Sequence, residues 1–397
     1  MSPPGQAGGS IWYNKGRALT SAHLPDITKV ETDILIVGAG FAGASTAYHL
    51  SQITNQSITI LEQEEIPGFH ASGRNASLLM QSAENPDIRR MIIASRIAYA
   101  AIGNLALSTA GSLMLGTRAE LEAIREPEVV SSEFCELDQV RKAIPLLDGH
   151  QFEAALFTPS DAVIDIAALL QHYLAGAQQR GVKLLLKHRV EEVRFDGHFR
   201  VRAGNEEITA EYLINAAGAW AGPVGNLAGA VPLPLTPLKR HLFVLGDITG
   251  VRPDWPFVWN LSRNFYFRPE SGQLLFSICD EQLCKSLEPT VDRDVIEELA
   301  ELIWRELPSL EEAVQKRAWS CFRTKTPDGR FVIGWDPVCS NFLWVAGLGG
   351  HGMGSSWEVG RLAAETFSGR CQSPNPFAPD RFGDAQPGTA HKSALET

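Results

Sequence analysis

Apolar and polar positions follow two alternating periods along this chain. A short apolar run, Ile34-Leu35-Ile36-Val37, leads into Gly38-Ala39-Gly40-Phe41-Ala42-Gly43. A helical pattern follows from Ala44 to Leu50, and a second apolar run, Ile58 to Leu61, ends on Glu62. This order predicts a strand, a glycine turn, a helix and a second strand. Asp165 reads as the N-cap of a helix whose apolar face carries Ile166, Leu169, Leu170, Tyr173, Leu174 and Ala177, closed by Gly181. Strand patterns follow at Val182 to Leu186, Val190 to Phe195, Phe199 to Ala203 and Ala210 to Asn215. Further strands are expected at Leu242 to Leu245, Asn264 to Arg268 and Leu274 to Ile278, and a helix after Asp292 ended by Pro308. The pattern returns to strands at Phe331 to Ile333 and Phe342 to Val345, and to a last helix over Ser355 to Phe367. A helical run is also expected from Ile88 to Ser108.

The first motif has a specific chemistry. Gly38 permits a tight turn, Gly40 lets backbone approach a pyrophosphate, and Gly43 lets the helix pack on the strand. The helix N-terminus offers unpaired N–H groups to phosphate. Glu62 stands 19 positions after Gly43, the spacing of a ribose-binding acid. A bound dinucleotide is the expectation. A second glycine-rich stretch, Gly347-Leu348-Gly349-Gly350-His351-Gly352-Met353-Gly354, opens the last helix. Its N–H groups, with the helix dipole, suit a site where negative charge develops. Gly349, Gly350, Gly352 and Met353 are the candidates there.

With 397 residues the chain suits two intertwined units, and 44% apolar with 20% charged residues fits a globular protein. A net charge of −11 argues against nucleic-acid binding and against polybasic attachment to lipid. No apolar stretch approaches the ~18 residues of a membrane span. Residues 1–30 read as an N-terminal arm without a signal-peptide core, and residues 372–397 as a disordered polar tail. Six scattered cysteines without Cys-x-x-Cys spacing predict free thiols, no metal site and a cytoplasmic location.

The glycine motifs together with Gly68-Phe69-His70-Ala71-Ser72-Gly73-Arg74-Asn75, Tyr212 to Trp220, Phe265-Tyr266-Phe267-Arg268-Pro269 and Arg323-Thr324-Lys325-Thr326-Pro327-Asp328-Gly329-Arg330 resemble the amine-oxidising flavoproteins. That group holds D-amino-acid dehydrogenases, glycine oxidase and monomeric sarcosine oxidase. The resemblance runs from about residue 31 to residue 370. It implies FAD as cofactor in an α/β, Rossmann-like domain, with an inserted, mostly antiparallel α+β substrate-binding domain. The limits expected are 31–85, 152–232 and 322–371 for the FAD domain, and 86–151 and 233–321 for the insertion.

It also implies roles for residues. Arg323 would clamp a substrate carboxylate through its planar fork, with Arg240 a second candidate. The Tyr266 hydroxyl would face the substrate. His70 would orient or deprotonate the amine, or else hydrogen-bond within a cofactor loop. Ser72, Arg74, Asn75, Val190 and Gly218 would support the flavin or its phosphates. Cys321 coincides with the cysteine that sarcosine oxidase links covalently to flavin; an ordinary buried cysteine is the other reading. The segment Gly272 to Ser277 lacks the oxygen-activating lysine of that enzyme. The implied reaction is oxidation of the CH–NH bond of a D-amino acid or small secondary amine by hydride transfer to flavin N5. A dehydrogenase passing electrons to a quinone is expected first, a peroxide-forming oxidase with covalent FAD second, and a non-catalytic accessory flavoprotein third.

Overall fold

The computed structural model describes residues 28–383 apart from 104, 109, 285, 372 and 373. Most of the expected arm and most of the expected tail lie outside these residues.

Two sheets build the molecule. The first runs in the order Val332–Trp335, Phe342–Ala346, Glu206–Asn215, Thr28–Val37, Ile58–Leu61, Lys183–Leu185, with Val190–Phe195 and Phe199–Ala203 attached as antiparallel strands. Its four central pairings are parallel, which is the arrangement of a doubly wound nucleotide fold. The Thr28–Val37 strand is longer than its apolar pattern because its polar first half pairs in register with Glu206–Asn215. Side chains alternate along it. Ile34 and Ile36 enter one core, while Leu35 and Val37 enter the core on the opposite face. Helices Phe41–Leu50, Ile166–Gln178 and Ser356–Phe367 cover the first of these faces.

The second sheet contains Thr236–Gly246, Gln273–Ser277, Phe265–Glu270, Phe257–Asn260, Ser112–Gly116, Ala154–Thr158 and the 12-residue strand Val314–Lys325, with short edge strands. It is antiparallel except where Phe257–Asn260 meets Ser112–Gly116. Phe265 and Phe267 pack with helix Arg293–Glu306 on one face. Tyr266, between them, therefore points to the other face, where it packs with Leu242, Val244, Leu275 and Ala76.

Three expected boundaries move. Ala154–Thr158 and Phe322–Lys325 belong to the second sheet. Helix Pro86–Ala100, expected in the insertion, packs against Ser356–Phe367 and supplies Ile88, Met91, Ile92 and Tyr99 to the nucleotide core. It also stops well short of Ser108. Residues 374–383 are not a loose tail. Phe377 is buried, its carbonyl accepts the Ile333 N–H, and Arg381 pairs with Asp328. No helix among the described residues is long and apolar enough to cross a membrane.

Candidate active site

A cleft of about 440 Å³ separates the two sheets. Of the residues singled out above, Gly38, Gly40, Glu62, His70, Ser72, Asn75, Val190, Gly218, Cys321, Arg323, Gly349, Gly350, Gly352 and Met353 line it. Gly43, Arg74, Tyr266 and Arg240 do not.

The glycine requirement at 38 and 43 is steric. A Cβ at Gly38, where φ is +103°, would meet the Ala216 carbonyl at 2.5 Å. One at Gly43 would lie 1.9 Å from the Gly38 carbonyl. Gly43 therefore acts behind the cleft, by letting helix Phe41–Leu50 close on the turn. Glu62 is buried, and its two carboxylate oxygens accept the N–H groups of Ala39 and Glu64 at 3.0 and 3.1 Å. Burial pushes its carboxyl above the usual range, opposed by these N–H groups. Each oxygen retains a lone pair for a ribose hydroxyl. Ser72 Oγ accepts the Phe41 N–H at 2.9 Å. Its own proton is left to donate, and the Gly40 and Ala42 N–H groups carry no protein acceptor among the described residues. These donors and Glu62 fit the pyrophosphate and ribose of a dinucleotide.

Asn75 closes the loop by donating to the Ser72 carbonyl and accepting from Ser77 N–H. Arg74 lies outside the cleft lining, and its guanidinium lies 4.4 Å over the Phe69 ring. The second sheet grips this loop. Trp319 Nε1 donates to the Arg74 carbonyl at 3.2 Å, and Arg268 Nε to the Ala76 carbonyl at 2.8 Å.

His70 lies at the Glu62 end rather than beside Tyr266. Its Nε2 is 2.8 Å from Glu64 Oε1, and its ring packs on Trp220 at 4.5 Å. The histidine is thus tied to a carboxylate of the loop that follows Glu62.

The other end of the cleft is charged. Arg323 has no carboxylate within 4.0 Å among the described residues, and its Nη1 donates to Cys321 Sγ at 3.8 Å. Gly350, at φ +100°, lies against it, for a Cβ there would be 2.8 Å from Arg323 Nε. The Tyr266 hydroxyl is buried without a hydrogen-bond partner among the described residues, and burial raises its pKa. Arg240 is different. Its Nη2 pairs with Glu281 at 2.7 Å and its Nε donates to the Asp280 carbonyl. It is thus already matched and is not a second open clamp. Cys321 is buried and lines the cleft.

The glycine-rich loop also departs from expectation. The first-turn N–H groups of the last helix are taken by protein, Trp357 N–H by the Tyr99 hydroxyl and Glu358 N–H by Ser95 Oγ. The free donors lie just before the helix, at Gly350, Gly352 and Met353, which have no acceptor among the described residues. The loop is pinned by Gly349 N–H to the Thr324 carbonyl and by the Tyr99 hydroxyl to the Met353 carbonyl, both under 3.0 Å. His351, which motif reading passed over as one letter in a glycine stretch, sits here. Burial, reinforced by Arg323, Lys325 and Arg240, lowers its pKa to about 4 and keeps the imidazole neutral. No group of three or more His, Cys, Asp or Glu side chains among the described residues is arranged to hold a metal.

Comparison with known proteins agrees with this geometry. The family model described as FAD dependent oxidoreductase matches residues 33–366. The mouse (Mus musculus) mitochondrial pyruvate dehydrogenase phosphatase regulatory subunit is 25% identical over 96% of this chain and 46% of its own length. Rat (Rattus norvegicus) mitochondrial dimethylglycine dehydrogenase is 24% identical over 86% of this chain and 43% of its own. The chain thus spans less than half the length of these relatives. The crystal structure of L-proline dehydrogenase from P. horikoshii superposes with a TM-score of 0.78 at 21% identity, covering 89% of this chain and 98% of that one. The family match covers most of the chain, and the cleft has the donors that its cofactor needs: the chain belongs to the FAD-dependent oxidoreductases.

Proposed function

We propose that this chain oxidises the C–N bond of a small secondary or tertiary amino acid, with Arg323 holding the substrate carboxylate. The observation that carries the reading is Arg323 itself, a guanidinium in the cleft without a carboxylate partner among the described residues, near a buried Tyr266 hydroxyl that also lacks one. A desolvated cation of this kind is costly unless a ligand anion completes it. FAD, when bound, would supply the two-electron oxidant. Glu62, Ser72, Gly40 and Ala42 would hold its diphosphate and ribose, and Gly350, Gly352 and Met353 would offer N–H groups to developing negative charge. The Tyr266 hydroxyl, behind the cleft lining and within the field of Arg323, would hydrogen-bond an amino acid drawn onto that clamp. Arg323 also disfavours an ammonium beside it, which keeps the amine in the neutral form that oxidation needs. Neutral His351 adds no charge to oppose either effect. The names of the dimethylglycine and L-proline enzymes support N-substituted substrates over primary D-amino acids.

The strand Gln273–Ser277 beside Tyr266 carries no lysine, which supports an acceptor other than oxygen. Cys321 lies in the cleft, so a covalent flavin is sterically open, and non-covalent FAD is the reading proposed. The regulatory-subunit relative supports one rival reading, an accessory flavoprotein without turnover. An anaerobic screen of N-methylglycine, N,N-dimethylglycine, proline and D-amino acids for flavin bleaching tests these readings. Bleaching by an N-substituted acid, with slow reoxidation in air, is expected. Rapid peroxide formation would make the enzyme an oxidase, and absence of bleaching by any amine would favour the accessory role.

A further inference from the structure

The antiparallel strands Thr236–Gly246 and Val314–Lys325 place four side chains on one face. Arg240 stands opposite Cys321, and the two-residue period carries that face on to Arg323 and Lys325. Three cations therefore meet here, and two are already bridged. Glu281 accepts from Arg240 Nη2 at 2.7 Å and from Lys325 Nζ at 2.6 and 2.7 Å. The second nearby carboxylate, Asp280, is held by His241, whose Nδ1 is 2.7 Å from Asp280 Oδ2. Its Nε2 in turn accepts the Asp292 N–H at 3.1 Å. Its Nδ1–H is the donor to Asp280. Lys239 lies on the opposite face and is matched by Asp292 at 2.9 Å. Arg240, Arg323 and Lys325 thus face Asp280 and Glu281, which leaves one positive charge in excess, at Arg323.

We propose that Glu281 is a specificity-determining residue, a resident anion that occupies Arg240 and Lys325 and restricts the site to substrates with a single carboxylate. The proposal rests on Arg323 as the substrate clamp. A second substrate carboxylate would have to displace Glu281 from two charge-assisted contacts, or lie beside it unpaired. Two carboxylates sharing these cations repel. A carboxylate one-third exposed at the edge of the site is placed to act in this way without touching the reacting atoms.

The test uses the FAD-loaded protein and two ligands without an oxidisable amine, (methylthio)acetate with one carboxylate and thiodiacetate with two. Dissociation constants are read from perturbation of the flavin absorbance. The wild type is expected to bind (methylthio)acetate at least about tenfold more tightly. Glu281→Gln should shift that ratio at least about tenfold towards thiodiacetate, whereas Lys325→Met, which leaves Glu281 in place, should not shift it that way. A merely structural glutamate would weaken both ligands together and leave the ratio alone. An unchanged ratio in Glu281→Gln overturns the proposal, and so does a wild type that prefers thiodiacetate, a result that needs no variant. Arg323→Ala separates the two levels. Loss of (methylthio)acetate binding there upholds the clamp, while undiminished binding overturns the clamp and with it the role given to Glu281.

Discussion

Replacing Arg323 by methionine separates a ligand clamp from a structural ion pair. Methionine keeps most of the apolar stem and removes the guanidinium. A cation in a surface or interior pair supports the fold, and its loss leaves a carboxylate unmatched, at a cost of several kcal/mol when buried. Arg323 has no such carboxylate among the described residues, and Gly350 is packed against its Nε. The ligand-free variant should therefore melt at the same temperature as the wild type or higher, since it no longer holds a partly desolvated charge. Binding should behave oppositely. Loss of a desolvated charge contact to a carboxylate costs about 2–5 kcal/mol, which corresponds to a fall of roughly 30- to 5000-fold in kcat/KM. Thermal unfolding of the FAD-loaded protein and steady-state kinetics with the best amine from the screen measure the two. A melting temperature that drops by several degrees with loss of flavin, or an unchanged kcat/KM, would refute the reasoning.

Gly43→Ala, whose Cβ would overlap the Gly38 carbonyl, should prevent folding of the first β-α-β unit, whereas Gly40→Ala meets only the movable Ser72 hydroxyl at 2.8 Å and should fold with weakened FAD retention, read from the flavin-to-protein absorbance ratio. Burial, aided by Arg361, lowers His49 to about 4, and His351 is lowered to about 4 as described. Both remain neutral in the fold while the unfolded chain titrates near 6.5, so the stability they confer is complete above pH 6.5 and is lost as pH falls towards 4. Each then contributes a slope of about 1.4 kcal/mol per pH unit; urea unfolding between pH 7 and 4.5 checks this, and His49→Gln should flatten it. Tyr99→Phe removes the hydroxyl that joins Met353, Ser356 and Trp357 and should lower stability by about 1–3 kcal/mol. Acid precipitation should release the flavin to the supernatant, and Cys321→Ala should bind FAD almost normally; a Cys321 peptide heavier by the mass of FAD would show the opposite.

Much of the cofactor half was legible because its signals are local. The turn at Gly38 to Gly43 and the acid at Glu62 fall within one β-α-β unit, and the cap at Asp165 depends on a neighbour three residues away, since Asp165 accepts the Ala168 N–H. The substrate half depends on long-range pairing, which a periodic pattern does not encode. Val314–Lys325 begins with four exposed positions and reads as no strand until Thr236–Gly246 lies beside it. That pairing also decides the arginines. Arg240 and Arg323 look alike in sequence, and only the fold brings Glu281 to one of them. Tyr99 and His351 carry no local signal for the same reason. A tyrosine in an apolar helix gives no sign that its hydroxyl will cap another helix over 250 positions away. Ile333 and Phe377 likewise show why a Pro-containing polar segment was expected to be loose: its order comes from an added backbone contact to a sheet edge.

The central claim, that Arg323 reads the carboxylate of an amino-acid substrate, is tested most directly by pairing charge removal on both sides. The kcat/KM for the best N-substituted amino acid is compared with that for its uncharged carboxamide, in the wild type and in Arg323→Met. The wild type should favour the acid by at least about 100-fold, in line with the loss of a charge-assisted contact of about 3 kcal/mol, and the variant should treat acid and amide nearly alike. An acid-to-amide ratio that is the same in both proteins would contradict the account.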